Sequence, residues 1–310
     1  MSKKYLISFA SPDLKKSMRR YYDQSKEMNF YDDINVFSIS DLEERHQKFI
    51  FDLLKNNIKN GYGYWFWKPL IISQFLERIK ENDIINYTDI GCHLNKNGIN
   101  RLHEYIEKIE LSEKGILAFQ YNPLENFKGN SDFEFPDIKE YIYTKADLFE
   151  YLGVLKNREI THSNQFWAGN IFFKKNLFTK NFLNKWLNIF EKRFDLIDDT
   201  PSKLKNFKDF SHHKHDQSAF SILCKLNKIE SISAYECEWF YKNGVRYWNH
   251  TQNSPIIAKR DKKYNFIKRF INRQKRTLRR YKSKFFKSLL FLFFIANFLF
   301  ILHLDSSLTI

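Results

Sequence analysis

Between Gly61 and Leu94 the chain runs from an aromatic cluster through a helical pattern into a short apolar strand, and this order most restricts the fold. Tyr62, Tyr64, Trp65 and Trp67 surround Lys68. Pro69 suits the first turn of a helix, where its missing N–H would be orphaned in any case. Leu70, Ile71, Phe75, Leu76 and Ile79 then give that helix an apolar stripe. Ile84–Tyr87 reads as a short central strand that runs into Thr88 and Asp89. A lone carboxylate just past a buried strand lies where α/β proteins place ligand chemistry.

The same alternation continues on both sides. Tyr5–Ser8 reads as a first strand, followed by a turn at Ser11-Pro12-Asp13 and a polar helix through Arg20. Asp41–Asn57 reads as a helix with Phe49, Leu53 and Leu54 on its apolar side. Ile99, Leu102, Ile106 and Ile109 recur at helical spacing, and Ile116–Phe119 is a further strand. Thr144-Lys145-Ala146-Asp147 resembles a capping box opening a helix that stops near Gly153. Asn170–Phe173 reads as a strand, Asn176–Arg193 as a long helix and Asp216–Leu226 as another. Alternating strands and helices predict an α/β fold, an open and mostly parallel sheet flanked by helices. There is no internal repeat.

The net charge of +15 suggests nucleic acid until its distribution is read. Residues 259–287 hold 14 Lys/Arg and a single acid, Asp261, while the other residues hold 37 basic and 35 acidic ones. The basic field therefore belongs to one segment, and because that segment runs straight into an apolar stretch, no nucleic-acid partner is expected. Within it Phe270, Ile271, Leu278, Tyr281 and Phe285 fall on one helical face, the pattern of a helix lying in a membrane interface. Phe285–Leu304 follows, apolar except for Lys287, Ser288, Asn297 and His303, and is about the length that spans a hydrocarbon core. A buried C-terminal helix is the alternative. The expected division is thus a globular domain over 1–258 and a basic, apolar extension over 259–310. The expected location is the cytoplasmic face of the inner membrane, held peripherally or by a single C-terminal span.

Cys92, Cys224 and Cys237 form no CxxC pair, which argues for a reducing compartment and against a structural zinc or disulfide framework. The apolar run Tyr5–Ala10 is too short for a signal peptide and is cut by Pro12 and Asp13. No GxGxxG, Walker loop, GxSxG or HExxH occurs, so Rossmann oxidoreductases, P-loop NTPases, α/β-hydrolases and zincins lose support.

Several stretches carry polar groups suited to chemistry, each with a plainer alternative. Asp89 can hold a divalent metal and through it a diphosphate, or cap a turn near Gly91. Lys68 can pair with phosphate or remain solvated beside the aromatics, which themselves suit packing better than base stacking. Ser211-His212-His213-Lys214-His215-Asp216-Gln217-Ser218 does not meet the HxHxDH hydrolase pattern, because Asp216 arrives one residue early and no His follows. It reads better as polar groups at a helix N-terminus facing a ligand, or as a plain N-cap. In Gln165-Phe166-Trp167-Ala168-Gly169-Asn170, small residues entering a strand allow either a ligand or a neighbouring helix to approach the backbone.

Taken in order, these stretches resemble GT-A glycosyltransferases, and especially bacterial nucleotide-sugar transferases found with capsule and lipopolysaccharide genes. There a tryptophan-lysine-proline stretch precedes Tyr-x-Asp-x-Gly, as Trp67-Lys68-Pro69 precedes Tyr87-Thr88-Asp89-Ile90-Gly91. Tyr143-Thr144-Lys145-Ala146-Asp147, Gln165 with Ala168-Gly169, and His215-Asp216-Gln217-Ser218 match further parts, over roughly residues 1–258. The resemblance implies a GT-A-like fold and transfer of a sugar from a nucleoside-diphosphate sugar to a glycan or lipid-linked acceptor in surface polysaccharide assembly. It implies donor binding by Asp89, Lys68, Tyr87 and Trp67, and a catalytic role for Asp216 with His215. Gln165, Ala168, Gly169, Asn170 and Gln217 would contact the sugar or acceptor. Asp89 corresponds to the first Asp of a DxD metal motif, with His250 as a late ligand for Mg²⁺ or Mn²⁺. Gly91 replaces the second Asp, which leaves metal dependence open. An anionic membrane surface is the partner expected of the basic extension. The rival reading is a non-catalytic, membrane-bound glycan-binding or scaffold protein on a degenerate transferase fold.

Overall fold

A computed structural model describes residues 2–56 and 60–259, and the basic and apolar extension expected beyond that lies outside the described residues. The strands are β1 (Lys4–Phe9), β2 (Asp33–Phe37), β3 (Ile84–Thr88), β4 (His93–Leu94), β5 (Ile116–Gln120), β6 (Phe133–Glu134), β7 (Phe166–Lys174), β8 (Glu230–Ser233), β9 (Phe240–Lys242), β10 (Val245–Tyr247) and β11 (Ile256–Ile257). The helices are α1 (Lys15–Met28), α2 (Glu44–Lys55), α3 (Gly61–Tyr64), α4 (Trp67–Arg78), α5 (Ile99–Leu111), α6 (Glu140–Tyr143), α7 (Ala146–Tyr151), α8 (Arg158–Thr161), α9 (Leu177–Lys192) and α10 (His215–Leu226).

Six strands form the central sheet in the order β2-β1-β3-β7-β5-β8. β1 pairs parallel with β2 and β3, and β5 pairs parallel with β8. β7 is antiparallel to both of its neighbours, β3 and β5. The fold is therefore the α/β one expected, a mostly parallel sheet flanked by helices, with one reversed strand inside it. Successive side chains along a strand point to opposite faces, and the core divides accordingly. Ile7, Ile85, Tyr87, Ile171 and Phe173 pack on one face with α4, α9 and α10. Leu6, Ile84 and Phe172 pack on the other with α1 and α5. Two small antiparallel sheets, β10-β9-β6 and β11-β4, complete the described residues.

The apolar stripe of α4 is buried as its spacing predicts, from Leu70 to Ile79. α9 opens on a capping box in which Asn176 and Thr179 bond each other's backbone N–H groups. Three readings need correction. β2 has no counterpart in the sequence reading, because Asp33–Phe37 is a half-exposed edge strand with little alternation. Residues 144–147 do not form a capping box: the Thr144 hydroxyl donates to Glu140 instead, and the Asp147 carboxylate caps the backbone N–H groups of Lys203 and Leu204. The strand read as Asn170–Phe173 begins at Phe166, so Ala168-Gly169-Asn170 lies within β7. Among the described residues, no helix is long and apolar enough to cross a membrane.

Candidate active site

β3 delivers Tyr87-Thr88-Asp89 to its C-terminal end, and the turn after it is fastened on three sides. Asp89 N–H donates to Gly169 O at 2.9 Å, and Cys92 N–H donates to Asp89 O at 2.8 Å. The Arg20 guanidinium from α1 donates to the carbonyls of Ile90 (3.0 Å) and Cys92 (2.7 Å). The Tyr87 hydroxyl donates to Asp89 Oδ1 at 2.7 Å, so one side of the carboxylate is held from its own strand. Burial, and then the negative charge of Asp89, pushes the Tyr87 phenol well above its usual range and keeps it a donor.

β7 passes next to that turn with a bulge. Ala118 of β5 pairs with Ile171 but the next residue, Phe119, pairs with Trp167, so Ala168-Gly169-Asn170 is looped out of the β5 ladder. Such a bulge re-aims the backbone beside a site. Here it turns the Gly169 carbonyl to Asp89 N–H and the Ala168 carbonyl to Lys68. A Cβ on Gly169 would sit 2.4 Å from the Trp167 ring, so the small residue is required by close packing. What approaches the backbone here is a lysine of the chain itself.

Lys68 comes from the first turn of α4, and the segment before it is strained. Gly61, Tyr62, Gly63, Tyr64 and Trp65 all have positive φ, between 53° and 92°. For the non-glycine residues this costs roughly 1–2 kcal/mol each, and it persists only where surrounding contacts over-determine it. Tyr64 donates to Asp199 at 2.8 Å, Trp67 Nε1 donates to Gly61 O at 3.0 Å, and Trp65 stacks on His215. Trp67 itself stacks on Phe9, ring centroids 4.2 Å apart. The aromatics expected around Lys68 are thus packing groups that set where α4 begins.

The Lys68 ammonium then meets three acceptors. It donates to Asp216 Oδ2 at 2.6 Å and to Ala168 O at 3.0 Å, and lies 3.3 Å from Asp89 Oδ1. Its side chain is 2% exposed, against 6% for Asp216 and 22% for Asp89. Burial works against the ammonium, but the two carboxylates outweigh it and its pKa is raised. Burial pushes the Asp216 carboxyl up, with Lys68 opposing. Asp216 stands in the first turn of α10, where the helix dipole also favours a negative charge.

Around this centre the other sequence-predicted residues divide. His215, at φ 49°, donates from Nδ1 to Ile197 O at 2.7 Å and lies under Trp65, beside Asp216 rather than on Lys68. Gln165 is fully buried: its Nε2 donates to Glu140, Thr144 and Ser218, and its Oε1 accepts from Gln217 Nε2 at 2.9 Å. Asn170 is fully buried and accepts from Asn86 at 2.8 Å. Both amides, expected on the sugar, face protein. Gln217 is half-buried and is carried by Gln165.

The group behind Gln165 escaped the sequence reading. Glu140 is 0% exposed and accepts from Lys225 (2.6 Å), Ser221, Thr144 and Gln165. Spacing did not announce it, since its partners come from α10 and from two further segments, at Thr144 and Gln165. Arg20 escaped too, lying on what reads only as a polar helix.

The resemblance implies a divalent cation at Asp89, and the residues present do not fit one. The space between Asp89 and Asp216 is taken by the Lys68 ammonium, and Asp89 Oδ1 also serves Tyr87. Gly91 offers no side chain. His250 makes its contacts elsewhere: its Nε2 faces the carbonyls of Tyr235 and Glu238 at 2.8 and 3.0 Å, and its ring lies on Phe240. Among the described residues, no group of three or more His, Cys, Asp or Glu side chains is arranged to hold a metal ion.

Comparison with known proteins gives no matching family model and no matching curated protein. Comparison with solved structures returns glycosyltransferases among its matches. A glycosyltransferase involved in glycosylation of the major capsid of PBCV-1 is similar at 11% identity and a TM-score of 0.44, over 85% of this chain and 94% of that one. Mouse xyloside xylosyltransferase 1 is similar at 11% identity and a TM-score of 0.40, over 76% of this chain and 87% of that one. The galactosyltransferase LgtC, in complex with donor and acceptor sugar analogues, is similar at 11% identity and a TM-score of 0.38, over 76% of this chain and 74% of that one.

Proposed function

We propose that this chain transfers a sugar from a nucleoside-diphosphate sugar to a hydroxyl of a glycan or lipid-linked acceptor in surface polysaccharide assembly. One observation carries the reading: Trp67-Lys68-Pro69, Tyr87-Thr88-Asp89 and His215-Asp216-Gln217, far apart in sequence, meet on the Lys68 ammonium beside the bulged Ala168-Gly169. These are the stretches on which the resemblance to GT-A transferases rests.

In the transfer, the bond between the anomeric carbon and the phosphate oxygen breaks, and its electron pair leaves on the nucleoside diphosphate. The acceptor oxygen bonds the anomeric carbon, and its proton passes to a base. Asp216, whose carboxyl is pushed up by burial, is the base of this scheme. Asp89, the most exposed of the three groups, binds the donor. The three protons of the ammonium are all committed, so Lys68 reaches a phosphate oxygen by giving up its longest contact, Asp89 at 3.3 Å. That exchange stabilises charge as it develops on the leaving group. The basic extension would hold the enzyme on anionic lipid at the cytoplasmic face of the membrane, at about 1 kcal/mol per Lys or Arg near the surface. Sedimentation of the full chain with anionic vesicles, against a chain ending at Ala258, tests that part.

The burial of Lys68 and Asp216 favours a second reading, in which the pair is a structural lock in a non-catalytic glycan-binding protein. Release of nucleoside diphosphate from a panel of nucleotide-sugars by the purified protein separates the two. Binding of glycans without turnover of any donor would support the second.

A further inference from the structure

The acceptors around Lys68 have the composition of a cation site. Asp89 Oδ1, Asp216 Oδ2 and the Ala168 carbonyl are three oxygens, two of them carboxylate, all within 3.3 Å of one nitrogen. Oxygen sets of this kind hold Mg²⁺ or Mn²⁺ in other settings. Here the centre is filled by an ammonium that belongs to the chain. It is not an adventitious guest: the strained turn from Gly61 to Trp65 fixes where α4 begins, and the bulge in β7 turns the Ala168 carbonyl toward it. Two local distortions in separate elements converge on this one nitrogen.

We infer that Lys68 is the resident cation of the site, its ammonium taking the oxygens of Asp89 and Asp216, so that the native chain binds no divalent metal between them. A tethered ammonium carries one positive charge rather than two. Its arm is anchored in a helix, so it cannot be lost to chelators or exchanged for another ion. Gly91 fits this assignment, because a second carboxylate on the turn after β3 would add negative charge that a single ammonium leaves uncompensated. The consequence for sugar transfer, which rests on the reading above, is turnover that chelation does not abolish.

Mn²⁺ binding, measured without any substrate by electron paramagnetic resonance and by thermal shift on the full chain, tests the inference apart from activity. The expected result is no saturable Mn²⁺ site in the wild type that depends on Asp89. In Lys68→Ala the emptied oxygen cage should bind one Mn²⁺ at least about tenfold more tightly than the wild type, a difference of about 1.4 kcal/mol. That site should vanish in Lys68→Ala/Asp89→Asn. Stoichiometric Mn²⁺ binding by the wild type that is lost in Asp89→Asn would overturn the inference. So would a folded Lys68→Ala variant that binds no Mn²⁺. If Lys68→Ala does not fold, the comparison of wild type with Asp89→Asn decides alone. None of these outcomes depends on which sugar is transferred or whether any is.

Discussion

Lys68 and Asp216 stand 148 residues apart in the chain and meet at 2.6 Å, both almost wholly buried. A buried ion pair is weak evidence of stability in itself, but removing one partner is costly because the other is left charged and desolvated. Lys68→Met should therefore cost roughly 3–5 kcal/mol. Lys68→Met/Asp216→Asn should cost clearly less than the two single losses added together. Urea unfolding of the four proteins measures this, and strict additivity would mean that the two side chains act independently.

Glu140 and Lys225 make a second buried pair behind Gln165. Glu140→Leu leaves an ammonium and three hydrogen-bond donors without their acceptor, and should cost roughly 3–5 kcal/mol. Glu140→Leu/Lys225→Met should recover part of that loss. Any activity should fall in both variants, since Gln165 loses its anchor and Gln217 hangs on Gln165. Unfolding midpoints and initial rates, compared side by side, separate the two effects.

Gly169→Ala places a methyl against the Trp167 ring inside the bulge. Overpacking of this kind costs about 1–3 kcal/mol. It should also weaken turnover beyond what the lost stability explains, because the Gly169 carbonyl holds the Asp89 amide. A variant as active as the wild type would show that the bulge does not fix Asp89.

His213 is buried, and burial first, then the neighbouring charges of His215 and Lys145, holds its imidazole well below the usual range. Its folded pKa thus lies below the unfolded value of about 6.5. The unfolded state binds the extra proton, so the stability this residue contributes is complete above about pH 6.5 and is lost as pH falls below it. Burial also depresses His46 and His250, which adds to the same slope. Melting temperature should fall from pH 7.5 to pH 5.5, and fall less in His213→Gln.

Much of this centre was legible in the sequence, and its limits have physical causes. The stripe of α4 and the run into β3 follow from periodicity, and the structure buries them as read. Lys68, Asp89 and Asp216 were each visible as polar residues at the ends of elements. Their mutual contact was not, because it depends on where three elements end in space. The bulge in β7 is set by pairing with two different neighbours, and no single-strand pattern encodes it. Gln165 shows the converse: an amide that invites a ligand reading on paper is consumed at both ends by partners from distant segments. The left-handed turn at 61–65 is foreshadowed only by Gly61 and Gly63, since tyrosine and tryptophan rarely adopt such φ values.

The most direct test of the central claim is release of nucleoside diphosphate by the purified full chain, screened across nucleotide-sugars, with Asp89→Asn run beside it. The account predicts turnover of at least one donor by the wild type, and a loss of about 10²-fold or more in Asp89→Asn with the melting transition retained. Full activity in Asp89→Asn, or no turnover of any donor by a folded wild type, would contradict it.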